Sequence, residues 1–367
     1  MSRRNFIKQM IMGLKSMALL SILPAPSVFA ASKDFEDEAL HYQPLQGVSL
    51  REMAAKKLHH GSDGRYLNPL GQLHRKRRFG KLMYWKLFDE NKFKKSLADQ
   101  TVVPVKLNWK PIKNHNGLSV TFIKHASVMI KDRDSQLIVD PVFNDLFWFI
   151  KDFTPLAFDL KDMPEPDHIL VTHGHYDHIN KDALARFDRG THVISPLGYD
   201  NIFNDLKMRN RTRLDWYDTF RDDRFEITLL PCNHWTMRNP VRGPNRSLWG
   251  SYLIRTAGGK TIYLSGDTGY FDGYADIGKE FDIDLAIFNL GAYEPRWFMA
   301  PSHMNPVETV QAFKELRAKK LMIVHWGSFQ LGDEPVHFPP LDLKRELEKE
   351  GLLDRWVELS HGETYHF

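Results

Sequence analysis

From Gly117 onward, short apolar runs alternate with polar turns, and the pattern is that of strands. Residues 119–123 and 127–130 alternate or run apolar, which predicts an antiparallel pair. A third short strand at 137–140 is closed by Pro141. Further strands are expected at 169–172, 193–195, 214–217, 225–230, 249–255, 261–265, 285–289 and 321–325. The clearest helix is 307–314, with Val307, Val310, Phe313 and Leu316 on one face. Asn305 fits its N-cap and Pro306 its first position. Paired strands followed by strands alternating with helices predict one α/β domain built on a sandwich, spanning 116–367. No internal repeat or low-complexity linker interrupts it.

Residues 31–115 have weak periodicity and predict an arm packed on that domain. The arm carries Lys56-Lys57-Leu58-His59-His60 and His74-Arg75-Lys76-Arg77-Arg78, then the mixed stretch 81–88 and Lys92, Lys94 and Lys95. Basic residues interleaved with aromatics suit an anionic membrane surface. A nucleic-acid patch and a solvated arm wrapped over the core are the alternatives. Ahead of the arm, Ser2-Arg3-Arg4-Asn5-Phe6-Ile7-Lys8 looks like a twin-arginine export signal. Residues 17–23 supply its apolar core, and Val28-Phe29-Ala30 predicts processing after Ala30. Residues 1–30 are therefore set apart from the fold, and a periplasmic or otherwise exported location is expected. That location argues against a nucleic-acid partner.

Bulk properties narrow the class only slightly. The 367 residues are 42% apolar, with mean hydropathy −0.43. No run approaches the roughly 18 apolar residues of a spanning helix. A net charge of +4 is too mild to imply nucleic acid. The single cysteine, Cys232, excludes an intramolecular disulfide and leaves the compartment open.

The chemistry concentrates in Thr172-His173-Gly174-His175-Tyr176-Asp177-His178, which follows the apolar run Ile169-Leu170-Val171. Open α/β sheets place their ligands at such strand ends. Neutral imidazole and carboxylate suit Zn²⁺ and related divalent ions. Three more strand ends offer His234, Asp267 and His325. Four polar ends after apolar runs are expected if these strands converge on one edge of a sandwich. Two ions about 3.5–4 Å apart acidify a shared water and neutralise the attacked group. Asp177 could orient that nucleophile. The expected cofactor is two Zn²⁺, with iron or manganese as options.

The run from His173 to His178, with His234, Asp267 and His325, resembles the metallo-β-lactamase superfamily. The resemblance implies an αββα sandwich with two metals at one edge. It implies that His173, His175 and His234 bind one metal, that Asp177, His178 and His325 bind the other, and that Asp267 bridges. Longer strings narrow it: Leu248-Trp249-Gly250-Ser251, Gly266-Asp267-Thr268-Gly269-Tyr270, residues 291–299, His325-Trp326-Gly327 and His361-Gly362-Glu363. From about Asn68 to the C-terminus these resemble the N-acyl phosphatidylethanolamine-hydrolysing phospholipase D family. That likeness implies hydrolysis of a membrane phospholipid to phosphatidate and N-acylethanolamine, peripheral membrane contact, and contacts from Tyr176 and His303 to the lipid. His303 or a metal would assist the leaving alkoxide. Animal members imply a homodimer, for which the sequence has no interface signal of its own. The chain departs from them in having Gly174 where they carry asparagine and Asn305 where they carry aspartate. Arg296 is either a phosphate contact or half of a structural salt bridge. The aromatic run 146–150, with Phe153, Leu156 and Phe158, is either core or a lipid groove wall, and Trp235 and Trp326 are expected to wall the site. A metal-dependent lactonase or other ester hydrolase on the same fold is the alternative activity.

Overall fold

The computed structural model describes residues 47–71, 79–88, 91–239 and 241–367. The export signal and the His74–Arg78 cluster lie outside them. Among the described residues, thirteen strands form two sheets. The first contains β1 (Leu118–Lys124), β2 (Ser127–Asp132), β3 (Ser135–Val139), β4 (His168–Leu170), β5 (His192–Pro196), β6 (Arg211–Leu214) and β13 (Thr364–His366). Its order is β13-β1-β2-β3-β4-β5-β6. The second contains β7 (Thr219–Arg221), β8 (Phe225–Leu230), β9 (Ser251–Thr256), β10 (Thr261–Leu264), β11 (Leu285–Asn289) and β12 (Lys320–Val324), in the order β12-β11-β10-β9-β8-β7. The β1–β2 pair is antiparallel, while β3 to β6 and β10 to β12 run parallel.

Period-two alternation builds the layers. Val128, Ile130, Leu137, Val139, Leu170 and Ile194 share one apolar cluster with Ile227, Leu229, Ile254 and Ile262 of the second sheet. Their neighbours Met129, Ile138, Ile169, Val171 and Val193 point the other way. There they meet Trp109, Ile112, Leu184 and Phe203 from the helical segments on the outer face. Strands buried on both faces read as continuous apolar runs, which is why the sequence marks them so clearly. Across the second sheet, Gly273–Glu280 and Pro306–Leu316 pack on each other and supply Tyr274, Ile277, Val310 and Phe313 to the core. The fold is thus an αββα sandwich.

Two local expectations change, and two short strands are added. Residues 214–217 are mostly a turn after β6: Asp218 N–H donates to Asp215 O, and Tyr217 has φ 69°. The run is apolar because Leu214 and Trp216 are buried, not because it is extended. Strands β7 and β13, three residues each, carry no period long enough to read. In the helix Pro306–Leu316, Val307 is 56% exposed. Pro306 is buried with Val310 and Phe313 instead.

The described part of the arm packs inward. Leu50, Met53 and Ala54 of the helix Leu50–Ala55 join the main core. Lys57, His59 and His60 all place nitrogens on Asp215, at 2.6, 2.5 and 2.8 Å. His59 is also stacked on Trp216. This half of the basic arm is a clasp on the turn between β6 and β7. No helix among the described residues is long and apolar enough to cross a membrane.

Candidate metal centre

Parallel strands of both sheets end on the same edge, and their loops bring the polar residues together. The loop after β4 supplies His173, His175, Asp177 and His178. His234 follows β8, Asp267 follows β10, and His325 directly follows β12. All seven expected ligands meet here. His173, His175, His234 and Asp267 offer ligand atoms within 4.8 Å of one another, and so do Asp177, His178 and His325 together with His125.

Asp267 is the geometric centre. Its Oδ2 lies 3.2 Å from His178 Nε2, 3.8 Å from His173 Nε2, and 4.0 Å from both His234 Nε2 and His303 Nδ1. Its Oδ1 lies 3.2 Å from His325 Nε2 and accepts from Asn289 Nδ2 at 2.9 Å. Asp177 Oδ2 lies 3.2–3.6 Å from His125, His325 and His178. Asp267 therefore touches both groups, and Asp177 serves one.

Acceptors behind the rings fix which nitrogen faces inward. His178 Nδ1 lies 2.7 Å from Asp140 Oδ2. His173 Nδ1 lies 3.0 Å from Thr172 Oγ1, which itself donates to Asp140. His234 Nδ1 donates to Ser302 O at 3.1 Å. With Nδ1 turned to these acceptors, Nε2 is the nitrogen that each ring presents to the centre. His173 Nε2 and His234 Nε2 lie 2.9 and 3.3 Å from His175 Nδ1. Nitrogens sharing a tetrahedral ion with bonds of ~2.0–2.1 Å sit about 3.4 Å apart, so this spacing fits one. His325 Nε2 is buried and makes no hydrogen bond although two carboxylates lie near it. The donor set fits a divalent ion pair.

Electrostatics agree. Burial alone would raise Asp177 and Asp267, but the charge on His178 and hydrogen bonds from neighbouring histidines hold both well below the usual carboxylate range. Burial opposes the charged form of His178, and Asp267, Asp177 and Asp140 outweigh it, raising its pKa well above normal. The carboxylates demand positive charge, and in the protein alone His178 provides it. Burial, reinforced by His325, pushes His125 down to about 3.

Sequence reading passed over His125 and Asp140. Each follows a strand, β1 and β3, as the seven ligand candidates follow theirs. His125 was hidden in the turn of an expected hairpin and Asp140 at the last position of an expected strand. Both have left-handed backbone, at φ 50° and 42°, as does His325 at φ 70°. Such conformations cost about 1–3 kcal/mol each for residues other than glycine. Gly174 is forced by close approach: a Cβ there would stand 2.7 Å from Thr236 Oγ1 and 2.9 Å from Tyr199 Cε1.

The remaining expected site residues are placed as follows. His303 stands beside Asp267, and burial pushes its pKa down to about 3. Tyr176 donates its hydroxyl to Arg238 O and packs on Phe147, 5.3 Å away. Of the two options for Arg296, the structure contains the salt bridge. Its Nη2 donates to both Glu308 oxygens at 2.9 and 2.8 Å, and Nη1 to the Tyr293 and His303 carbonyls. A different guanidinium lies by the ligand loop. Arg238 sits 4.3 Å over the Tyr176 ring and donates to the carbonyls of Gly174 and His175. Trp235 abuts His175, whereas Trp326 packs on Phe122 and His361. Phe153 is core, and Leu156 and Phe158 line an open cavity of about 450 Å³ with Phe143 and Asp152.

Known proteins share this architecture. The beta-lactamase superfamily domain matches residues 135–326. The chain belongs to that superfamily, with the metallo-β-lactamase fold, and is a metal-dependent hydrolase. Within it, the chain is 30% identical to N-acyl-phosphatidylethanolamine-hydrolyzing phospholipase D 1 of Caenorhabditis elegans, over 74% of this chain and 82% of that one. It is also 30% identical to the mitochondrial N-acyl-phosphatidylethanolamine-hydrolyzing phospholipase D of Saccharomyces cerevisiae, over 63% of this chain and 52% of that one. The solved isothiocyanate hydrolase from Delia radicum gut bacteria shares the fold at TM-score 0.57 and 18% identity, covering 68% of this chain and 99% of that one.

Proposed function

We propose that this protein is a dinuclear metal-dependent phosphodiesterase that hydrolyses N-acyl phosphatidylethanolamine to phosphatidate and N-acylethanolamine. The observation that carries the reading is a pair of ligand groups meeting on Asp267, in a chain 30% identical over most of its length to a relative named for that reaction. His173, His175 and His234 would hold one ion; Asp177, His178 and His325 would hold the other; Asp267 would serve both. Zinc suits this imidazole and carboxylate set.

When bound, two divalent ions supply an acidified water and positive charge for the phosphate. The chain's own groups do the rest. Asp177 is the less buried of the two carboxylates and is placed to orient the water and take its proton. Water oxygen bonds to phosphorus, the bond from phosphorus to the ethanolamine oxygen breaks, and the proton that Asp177 took from the water passes to that oxygen. His303, neutral at pH 7, suits donation of a hydrogen bond to the leaving oxygen, not the role of a charged acid. Arg238 donates to the Gly174 and His175 carbonyls, lies over the Tyr176 ring and feels the Asp177 carboxylate, and it would present its positive charge to a phosphate oxygen beside the ligand loop. Trp148, 64% exposed beside the stacked Phe147 and Phe149, supplies an apolar approach for acyl chains and a peripheral membrane contact.

The test is mass spectrometry of products from zinc-loaded protein incubated with N-acyl phosphatidylethanolamine in mixed micelles. Phosphatidate plus N-acylethanolamine is expected, abolished by chelator and by Asp267→Asn. Intact lipid alongside turnover of lactones would overturn the proposal in favour of an ester hydrolase.

A further inference from the structure

We infer that the N-terminal arm is an integral part of the metal centre and that Asn68 is the positioning residue through which it acts. The inference rests on the reading that the histidine cluster holds metal.

A side-chain amide has two N–H donors and an oxygen with two lone pairs. Asn68 uses all four positions. Its Nδ2 donates to the Asn233 side-chain oxygen at 2.8 Å and to the His234 backbone carbonyl at 2.9 Å. Its Oδ1 accepts from Leu70 N and Gly71 N, both at 3.2 Å. Backbone N–H groups can only donate and a carbonyl can only accept, so these partners fix the orientation of the amide. The approach is close: a Cβ at Gly71 would lie 2.7 Å from Asn233 Oδ1 and 2.8 Å from Asn68 Nδ2.

The contact opens into a network linking four distant stretches of chain. Asn233 N donates to Thr268 Oγ1, Asn233 Nδ2 donates to Tyr270 O, and Gly269 N donates to Asn233 O. These bonds hold the loop that carries Asp267. Met304 N donates to Thr268 O, and His234 Nδ1 donates to Ser302 O, which brings in the loop that carries His303. Asn68 is thus the point where the arm meets the His234 loop and, through Asn233, the Asp267 loop, two of the three ligand loops of the second sheet. The arm reaches it already anchored by Leu50 and Met53 in the core and by the clasp on Asp215. Groups that orient ligands typically control metal affinity 10–100-fold.

Asn68→Asp separates this role from simple packing. The carboxylate keeps the acceptor for Leu70 and Gly71, but it cannot donate, and it sets a negative oxygen against two others. Asn68→Ser is the milder companion, keeping a short acceptor without the reach to His234. Zinc affinity of the full chain would be measured by chelator competition, and thermal stability would be measured on chelator-stripped protein. About 10- to 100-fold weaker binding is expected in both variants, with the stripped protein's Tm lowered by no more than the few degrees that two lost hydrogen bonds cost. Wild-type affinity in the variants would overturn the inference, and so would a matching loss of stripped-protein stability in both, which would mark a general structural role. A wild-type protein that binds no zinc would instead overturn the reading on which the inference rests.

Discussion

At the residue scale, one buried carboxylate behind the ligands governs two of them. Asp140 holds His178 directly and His173 through Thr172. Asp140→Asn keeps the volume and removes the charge that fixes both rings. Zinc affinity should fall about 10- to 100-fold, read by competition with a chromogenic chelator; an unchanged constant would show the rings are held by packing alone. His178 also makes a thermodynamic prediction. Its raised pKa means that it carries a proton at neutral pH, and an ion binding to Nε2 must displace it. Zinc affinity should therefore rise with pH through the neutral range. Calorimetric binding enthalpies should differ between buffers of different ionisation heat, and identical enthalpies would contradict the proton release.

At the element scale, strand ends govern what can be read. The seven ligand candidates were legible because each follows an apolar run that is buried on both faces, so the polar residue stands out. His125 and Asp140 follow strands in the same way, but a histidine in a tight hairpin turn has an ordinary explanation, and Asp140 was absorbed into the expected strand that Pro141 closes. The partner of Arg296 was illegible because Glu308 is twelve residues on, across a loop whose path only the tertiary structure decides. The short strands β7 and β13 offered too few residues for alternation. Helix Pro306–Leu316 was legible at its start, where Asn305 and Glu308 form a reciprocal capping box. Asn305→Ala should cost about 1 kcal/mol of stability, measured by urea unfolding. Asn305→Asp should be nearly neutral, since aspartate caps equally well. The departure from aspartate at this position therefore leaves the helix start intact.

At the scale of the whole molecule, the proposed lipid reaction needs the protein to meet a surface. Trp148 is the most exposed aromatic of the segment that touches Tyr176 through Phe147. Trp148→Ala should weaken binding to anionic phospholipid vesicles several-fold in a sedimentation assay while leaving zinc affinity unchanged. Equal sedimentation would remove this loop from the contact. The same scale shows how the centre is assembled. Residues 173–178 come off the first sheet, and residues 234, 267 and 325 come off the second. An ion held between them is a rivet through two plates that are synthesised one after the other. Because His325 follows β12, a chain still on the ribosome lacks the last hole for that rivet until nearly all of both sheets exists. The ion that would use His325 is thus reserved for the finished product: a chain cut short before β12 keeps the His173, His175, His234 and Asp267 group but lacks the second ion's last ligand.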